Sequence, residues 1–222
     1  MVNAAVVLSG CGVYDGSEIH EAVVTLLALD RAGADVKCFA PDTAQQDVID
    51  HAEGSPAEGE TRSVLAESAR IARGEIEPLA DLDVAAFDCV LLPGGFGAAK
   101  NLCDFASAGA EAKAQDDVQR VIREAHVGGK AIGAMCIAPA AVAVALKGVG
   151  VTPRMTIGTD AATAEGLEAM GAEHVDCEVG GIVVDEENRI VTTPAYMLAG
   201  SIGEAADGIE QLVAETLRLA TS

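Results

Sequence analysis

Apolar and polar positions follow two rhythms along this chain. The continuously apolar run at residues 4–8 has the pattern of a buried parallel strand, and the short, mostly apolar runs at 34–40, 87–92 and 130–134 read as further strands. Between the first two, Ile19, Val23, Leu26, Leu27 and Asp30 recur at helical spacing, behind Ser17 as N-cap and ahead of a stop at Gly33. That spacing puts Glu18 and Glu21 in the helix's first turn. Residues 63–73, 116–126, 161–171 and 203–220 read as further helices. Residues 41–62, rich in Gln, Asp, Gly, Pro and Glu, read as a surface excursion, and residues 75–79 as a linker. Residues 154–158, 175–179 and 181–193 read as short strands, the last folding back at a polar Asp-Glu-Glu-Asn turn. The alternation predicts an α/β fold, a flavodoxin-like sandwich with a mostly parallel sheet, helices on both faces and the ligand site at the strands' carboxyl ends. No repeat or linker divides the chain, so residues 1–222 are expected to form a single domain.

Candidate chemistry gathers where the strands end. The stretch Lys130-Ala-Ile-Gly-Ala-Met-Cys-Ile-Ala-Pro139 passes from strand to helix at once, with Pro139 in the first turn, where its missing N–H costs nothing. This is the layout of a nucleophile elbow, which would lift Cys136 clear of the sheet. A thiol at a helix N-terminus forms its thiolate more readily. The alternative is a buried core cysteine, the common fate of a free thiol. Two other turns should reach the same edge, Gly10-Cys-Gly-Val-Tyr-Asp-Gly-Ser-Glu-Ile-His-Glu21 and Pro93-Gly-Gly-Phe-Gly-Ala-Ala-Lys-Asn101. The N–H groups of Gly95 and Ile137 then become candidate oxyanion donors, worth about 3 kcal/mol each in a transition state. Glu21 is the candidate acid–base group, with a carboxyl pKa raised by a dry pocket. Compensation of the helix dipole is the competing explanation for both Glu18 and Glu21. Cys11, Gly12, His20, Gly94 and Asn101 complete the candidate pocket. His20 stands about 100° round the helix from Glu21, so adjacency in sequence does not decide whether it faces that pocket. Gly10-x-Gly12-x-x-x-Gly16 is one residue too long for a dinucleotide fingerprint, and no phosphate-loop lysine follows it.

Charge narrows the classes. Fourteen basic residues face 35 acidic ones, a formal charge of -21, which argues against nucleic acid and anionic membranes as partners. Such a surface suits either a protein kept hydrated in high salt or an ordinary acidic cytosolic one. The six cysteines form no C-x-x-C pair and no Cys/His cluster of zinc spacing, so neither a metal nor another cofactor is expected. Their arrangement also gives the expectation of a reduced, cytoplasmic setting. No apolar run reaches the ~18 residues of a membrane span.

Taken in order, Ser9-Gly-Cys-Gly-Val-Tyr-Asp-Gly-Ser-Glu-Ile-His-Glu-Ala-Val23, Leu92-Pro-Gly-Gly-Phe-Gly-Ala-Ala-Lys-Asn-Leu102, Met135-Cys-Ile-Ala-Pro139, Thr156-Ile-Gly-Thr-Asp160 and Ile190-Val-Thr-Thr-Pro-Ala-Tyr-Met197 closely resemble the ElbB family. That family is a branch of the PfpI-like, glutamine-amidotransferase-like superfamily. The resemblance implies a flavodoxin-like homodimer with weak glutathione-independent glyoxalase activity on glyoxal or methylglyoxal, and a historical association with isoprenoid biosynthesis. By position it puts the elbow cysteine on Cys136, the first-helix glutamate on Glu21 and the oxyanion amides on Gly95 and Ile137. The superfamily's histidine beside that cysteine, or on a later strand, is replaced here by Ile137 and Gly158. His174-Val-Asp176 keeps the His-x-acid order of glutaminase triads but follows the elbow too soon. Two rivals stand beside a glyoxalase: a glutaminase or small-amide hydrolase, and a non-catalytic protein that senses oxidants or metabolites through Cys136.

Overall fold

The computed structural model describes all 222 residues. The amino-terminal half runs β1 (Asn3–Val7), α1 (Ile19–Arg31), β2 (Asp35–Ala40), a two-residue hairpin of β3 (Ile49–Asp50) and β4 (Ser55–Pro56), α2 (Val64–Ile71), β5 (Ile76–Pro78) and β6 (Cys89–Leu92). Next come two short helices, α3 (Phe96–Lys100) and α4 (Phe105–Ala108), then α5 (Asp116–Val127), β7 (Ala131–Met135) and α6 (Ala138–Leu146). The chain closes with β8 (Arg154–Met155), α7 (Ala161–Ala169), β9 (Glu173–His174), β10 (Val183–Asp185), β11 (Ile190–Thr193) and α8 (Ile202–Ala220).

Seven strands form one sheet in the order β10-β11-β7-β6-β1-β2-β5, parallel throughout except for β10, which is antiparallel to β11. From β1 the chain winds outward through β2 to β5, then returns to the other side of β1 with β6. That reversal between β1 and β6 opens a crevice at the carboxyl ends of the strands. The loops after β1, β6, β7 and β11 all leave the sheet at this edge.

Strand pleating divides the core in two. Ala4, Val6 and Leu8 bury one side, with Leu91 and Met135, beneath α1 and α8. Ala5 and Val7 bury the other, with Val90, Leu92 and Ile132, beneath α5 and α6. Every residue of α6 is buried, which its run of Ala and Val permits.

Four local expectations are corrected. Ser17 does not cap α1: Glu18 does, its Oε2 accepting the Glu21 N–H at 2.7 Å, while the Ser17 hydroxyl accepts the N–H of Ser9 at 2.9 Å. The buried face of α1 is Glu21, Ala22, Thr25 and Leu29, whereas Ile19, Val23 and Leu27 are more than 40 % exposed. Small Ala22 and Thr25 let this face pack closely beside Leu29, while Ile19, Val23 and Leu27 fall on the outer face. The supposed linker contains β5, an edge strand whose Pro78 is tolerated because its missing donor faces no neighbour. Residues 175–179 form no strand of their own; β9 lies just before them, against β8, and Val175 continues that pairing only through its N–H to the Met155 carbonyl at 2.9 Å.

Candidate functional site

The elbow is built by backbone geometry. β7 ends at Met135, Cys136 takes φ 58°, and α6 starts two residues later with Pro139 in its first turn. A non-glycine residue in the left-handed region is strained, and such strain persists only where surrounding contacts hold it. Here the Cys136 N–H is tied to the Thr193 carbonyl at the end of β11, at 3.0 Å.

Glu21 comes up from the first turn of α1 with its side chain wholly buried. Its Oε2 accepts the N–H of Gly94 at 2.9 Å and its Oε1 the N–H of Tyr196 at 3.1 Å. The carboxyl also hydrogen-bonds the thiol of Cys136. Burial pushes its pKa from an ordinary 4.5 to about 7; the Tyr196 amide, the thiol and the Gly94 amide oppose that rise, and the charge of Glu18 adds to it. Near neutral pH this acid is therefore poised to take or give a proton.

The thiol of Cys136 donates to the Glu21 carboxylate, and the Gly95 and Ile137 amides beside the sulfur favour its thiolate. The thiol itself departs from expectation. It is 7 % exposed, and burial, followed by the negative charge of Glu21, holds its pKa well above the ordinary 9.0 despite the two amides. The helix terminus does not overcome desolvation here. Thiol and carboxyl form a coupled pair whose protons are best counted together.

Two glycines are required by this packing. A Cβ on Gly94 would lie 2.4 Å from the Cys136 Cβ and 2.6 Å from Glu21 Oε2. One on Gly95, whose φ is +92°, would meet Glu18 N and Gly16 O at 2.4 Å. The β6 loop can approach the thiol only because both positions lack a side chain.

The remaining candidates divide. Asn101 Nδ2 donates to the carbonyls of Ser9 and Asp15 at 2.8 and 2.9 Å, and its Oδ1 accepts the N–H of Gln46, so it braces loops. The Gly12 N–H goes to Ser17 O, and its Cα is covered by the ring of His51. Cys11 is half-buried, and burial together with Glu67 pushes its thiol pKa up; its charged neighbours are Glu67, Arg70 and Asp15. None of these three bonds Cys136 or Glu21. His20 is half-exposed, with its Nδ1 2.9 Å from the hydroxyl of Tyr196 and 3.7 Å from Glu18 Oε1. His174 is occupied elsewhere, its Nε2 accepting the N–H of Ile157 at 3.3 Å. Tyr196 is not among the sequence candidates because it acts on Glu21 through its main chain. The signal for it is the Thr-Pro-Ala-Tyr run directly after the last strand, at the same sheet edge.

Residues 11–197 match the model of the DJ-1/PfpI family. The chain belongs to that family. A human relative, glutamine amidotransferase-like class 1 domain-containing protein 3, mitochondrial, is 50 % identical over 224 residues, covering 97 % of this chain and 82 % of its own. A crystal structure from Ehrlichia chaffeensis, described as an isoprenoid biosynthesis protein with an amidotransferase-like domain, is 39 % identical and superposes with a TM-score of 0.91 over 99 % of both chains. Glyoxalase III from Candida albicans shares the fold at 13 % identity, with a TM-score of 0.64 over 98 % of this chain and 97 % of its own. The expectation of a cytoplasmic setting is corrected by these relatives. The human protein is named mitochondrial, as is a rat ES1 protein homolog that is 49 % identical over 97 % of this chain and 83 % of its own. Six free thiols report the redox state of a compartment and not which compartment it is.

Proposed function

We propose that the protein is a slow, cofactor-independent glyoxalase of the ElbB branch, converting glyoxal or methylglyoxal to glycolate or lactate. One observation carries this reading: a fully buried glutamate, Glu21, is packed with Cys136 around Gly94, and burial pushes its pKa up to about 7. Glu21 as carboxylate takes the thiol proton, and the thiolate adds to the aldehyde carbon. The C–S bond forms, the carbonyl π pair moves to oxygen, and the Gly95 and Ile137 amides hold the developing charge. Once it has passed the thiol proton to that oxygen, Glu21 removes the proton on the adducted carbon, giving an enediolate. It returns the proton to the neighbouring carbon while the neighbouring oxygen gains a proton and the hydroxyl of the sulfur-bearing carbon loses one, leaving a thioester. Water cleaves the thioester, releasing the hydroxy acid and regenerating the thiol. Oxidation at one carbon balances reduction at the next, so no external redox partner is needed. The high thiol pKa accounts for slow turnover.

The ElbB placement draws support from the Ehrlichia relative, and a glyoxalase on this fold from the Candida protein. Amide hydrolysis is the weaker reading, because Ile137 stands beside the cysteine where a histidine base would sit, and His174 is engaged by Ile157. The test is formation of glycolate and lactate from glyoxal and methylglyoxal, without glutathione, by wild type, Cys136→Ser and Glu21→Gln. Loss of product in both variants supports the mechanism. An inert wild type, or full activity in Cys136→Ser, overturns it.

A further inference from the structure

The proposed reaction has a proton-counting problem that Glu21 alone does not solve. When Glu21 holds the proton taken from carbon, a second proton must reach the neighbouring carbonyl oxygen for the enediol to form. When Glu21 returns its proton to carbon, the hydroxyl on the sulfur-bearing carbon must lose one. A single carboxyl cannot do both at once. The amides of Gly95 and Ile137 can lower the cost of an anion, but they cannot transfer a proton.

Beside the carboxyl stands an imidazole–phenol pair that the mechanism leaves unused. Tyr196 follows β11 and has two contacts pointing in different directions. Its N–H donates to Glu21 Oε1 at 3.1 Å, while its hydroxyl is 2.9 Å from His20 Nδ1, the two rings tilted at 5.8 Å between centroids. The preceding residue, Ala195, is buried with φ 43°, a strained conformation for alanine. Strained non-glycine residues thus occur on both strand ends that frame Glu21, at Cys136 and at Ala195. The phenol also feels both carboxyls: partial burial, then Glu18, then Glu21 raise its pKa, so it stays protonated. His20 comes from the first turn of α1, next to Glu21, and its bond to Tyr196 uses Nδ1. That leaves Nε2 without a protein partner on a side chain that is half-exposed. An imidazole held at one nitrogen by a hydroxyl can pass a proton at the other, with the phenol selecting the tautomer.

We propose that His20 is the second acid–base group of this site, exchanging protons with the oxygens of the Cys136 adduct, and that Tyr196 is its positioning residue. The proposal rests on the glyoxalase reading above. In the enediol step the C–H bond breaks toward Glu21 while protonated His20 gives its Nε2 proton to the neighbouring carbonyl oxygen. In the following step Glu21 protonates that neighbouring carbon, and neutral His20 takes the proton of the hydroxyl on the sulfur-bearing carbon. The pair ends each turnover in its starting protonation state. His20 thereby supplies what the family's histidine next to the cysteine would, from the first turn of α1.

The test uses the full chain with methylglyoxal, comparing wild type, His20→Ala, His20→Gln, Tyr196→Phe and Cys136→Ser. Turnover is followed across pH, together with alkylation of Cys136 by iodoacetamide and the melting temperature. Both His20 variants should lose ~10²-fold in kcat with KM little changed. They should also lose one limb of the pH profile, to which Glu18, Glu21, Tyr196 and Cys136 are the other titrating contributors. Cys136 alkylation and melting should stay as in wild type, and free imidazole should restore part of the His20→Ala rate. Tyr196→Phe should lose roughly 5–10-fold in kcat, the worth of one hydrogen bond, and keep both limbs. Full activity in His20→Gln would show that His20 only fills a hydrogen-bonding position, and would overturn the proposal. Full activity in His20→Ala, with Cys136→Ser dead, overturns this proposal alone. An inert wild type overturns the glyoxalase reading and this proposal with it.

Discussion

The two edges of the central sheet are built on opposite terms. At the amino edge lies an open cleft of about 530 Å3, bordered by Asn3, Asp35, Lys37, Glu75, Glu77 and Phe87. Its charged groups meet water or one another, as in the 2.6 Å contact of Lys37 with Glu77. At the carboxyl edge the backbone is strained at Cys136 and Ala195, two glycines have no room for a side chain, and a carboxyl with no cationic partner is sealed among amides and a thiol. That hollow holds nothing that needs explaining. Arg73 and Arg189, before β5 and β11, are left-handed too, so what sets the carboxyl edge apart is the sealed carboxyl and the two crowded glycines beside the elbow.

Substitutions can break that contrast. The largest effect belongs to Cys136→Ser, which should reduce α-oxoaldehyde turnover by at least ~10³-fold while leaving the far-ultraviolet dichroism intact. Gly94→Ala should be nearly as damaging by another route. Its Cβ would collide with the Cys136 Cβ, Glu21 Oε2 and the Met135 carbonyl, two of them on the elbow itself. We expect a loss of about 3 kcal/mol in a denaturant melt, with activity falling in step.

Glu21 gives the contrast a pH axis. A carboxyl raised from 4.5 to about 7 binds more protons in the folded state than in the unfolded one across that interval. Its contribution to stability is therefore complete below about pH 4.5 and is lost as pH rises through about 7, a decline of about 3 kcal/mol. Glu21→Gln cannot ionise and should flatten this part of the stability–pH curve, even though its amide can accept only one of the two N–H bonds cleanly. Equal slopes for wild type and variant would mean that Glu21 does not store a proton in the folded state.

Asn101 tests whether bracing and chemistry are separable. Asn101→Ala strips donors from the Ser9 and Asp15 carbonyls and should cost about 2 kcal/mol in stability. Near-normal kcat in the material that remains folded is the expected outcome, since no contact runs from Asn101 to Cys136 or Glu21.

What can be read from the sequence and what cannot differ for physical reasons. The elbow is legible because a strand, a small-residue helix and Pro139 lie within ten residues, and local chemistry fixes local geometry. The inward face of α1 is not, because Ile19, Val23 and Leu27 point outward although they are large and apolar, while Ala22, Thr25 and the acidic Glu21 point in beside Leu29. Hydrophobicity marks burial only where there is room for bulk. β5 is hidden by Pro78, which an edge strand tolerates. The state of the Cys136 thiol runs against its sequence context because the helix terminus is visible in sequence and the depth of burial is not. Tyr196 is hard to pick out since its hold on Glu21 runs through an N–H aimed by the φ of Ala195, a quantity no residue identity encodes.

The smallest expected effect is the most exposed to surprise. Lys37→Ala removes one half of an ion pair whose two side chains are 49 % and 45 % exposed, so water already satisfies both charges. It should change stability by less than about 1 kcal/mol, less still in high salt, and leave turnover unchanged. A tenfold loss of activity would have no explanation at the carboxyl edge, because Lys37 lies on β2, two strands away from β6. It would instead make the open cleft part of the working molecule, and accessible volume would then rival strain and buried charge as a guide to where this fold does its chemistry.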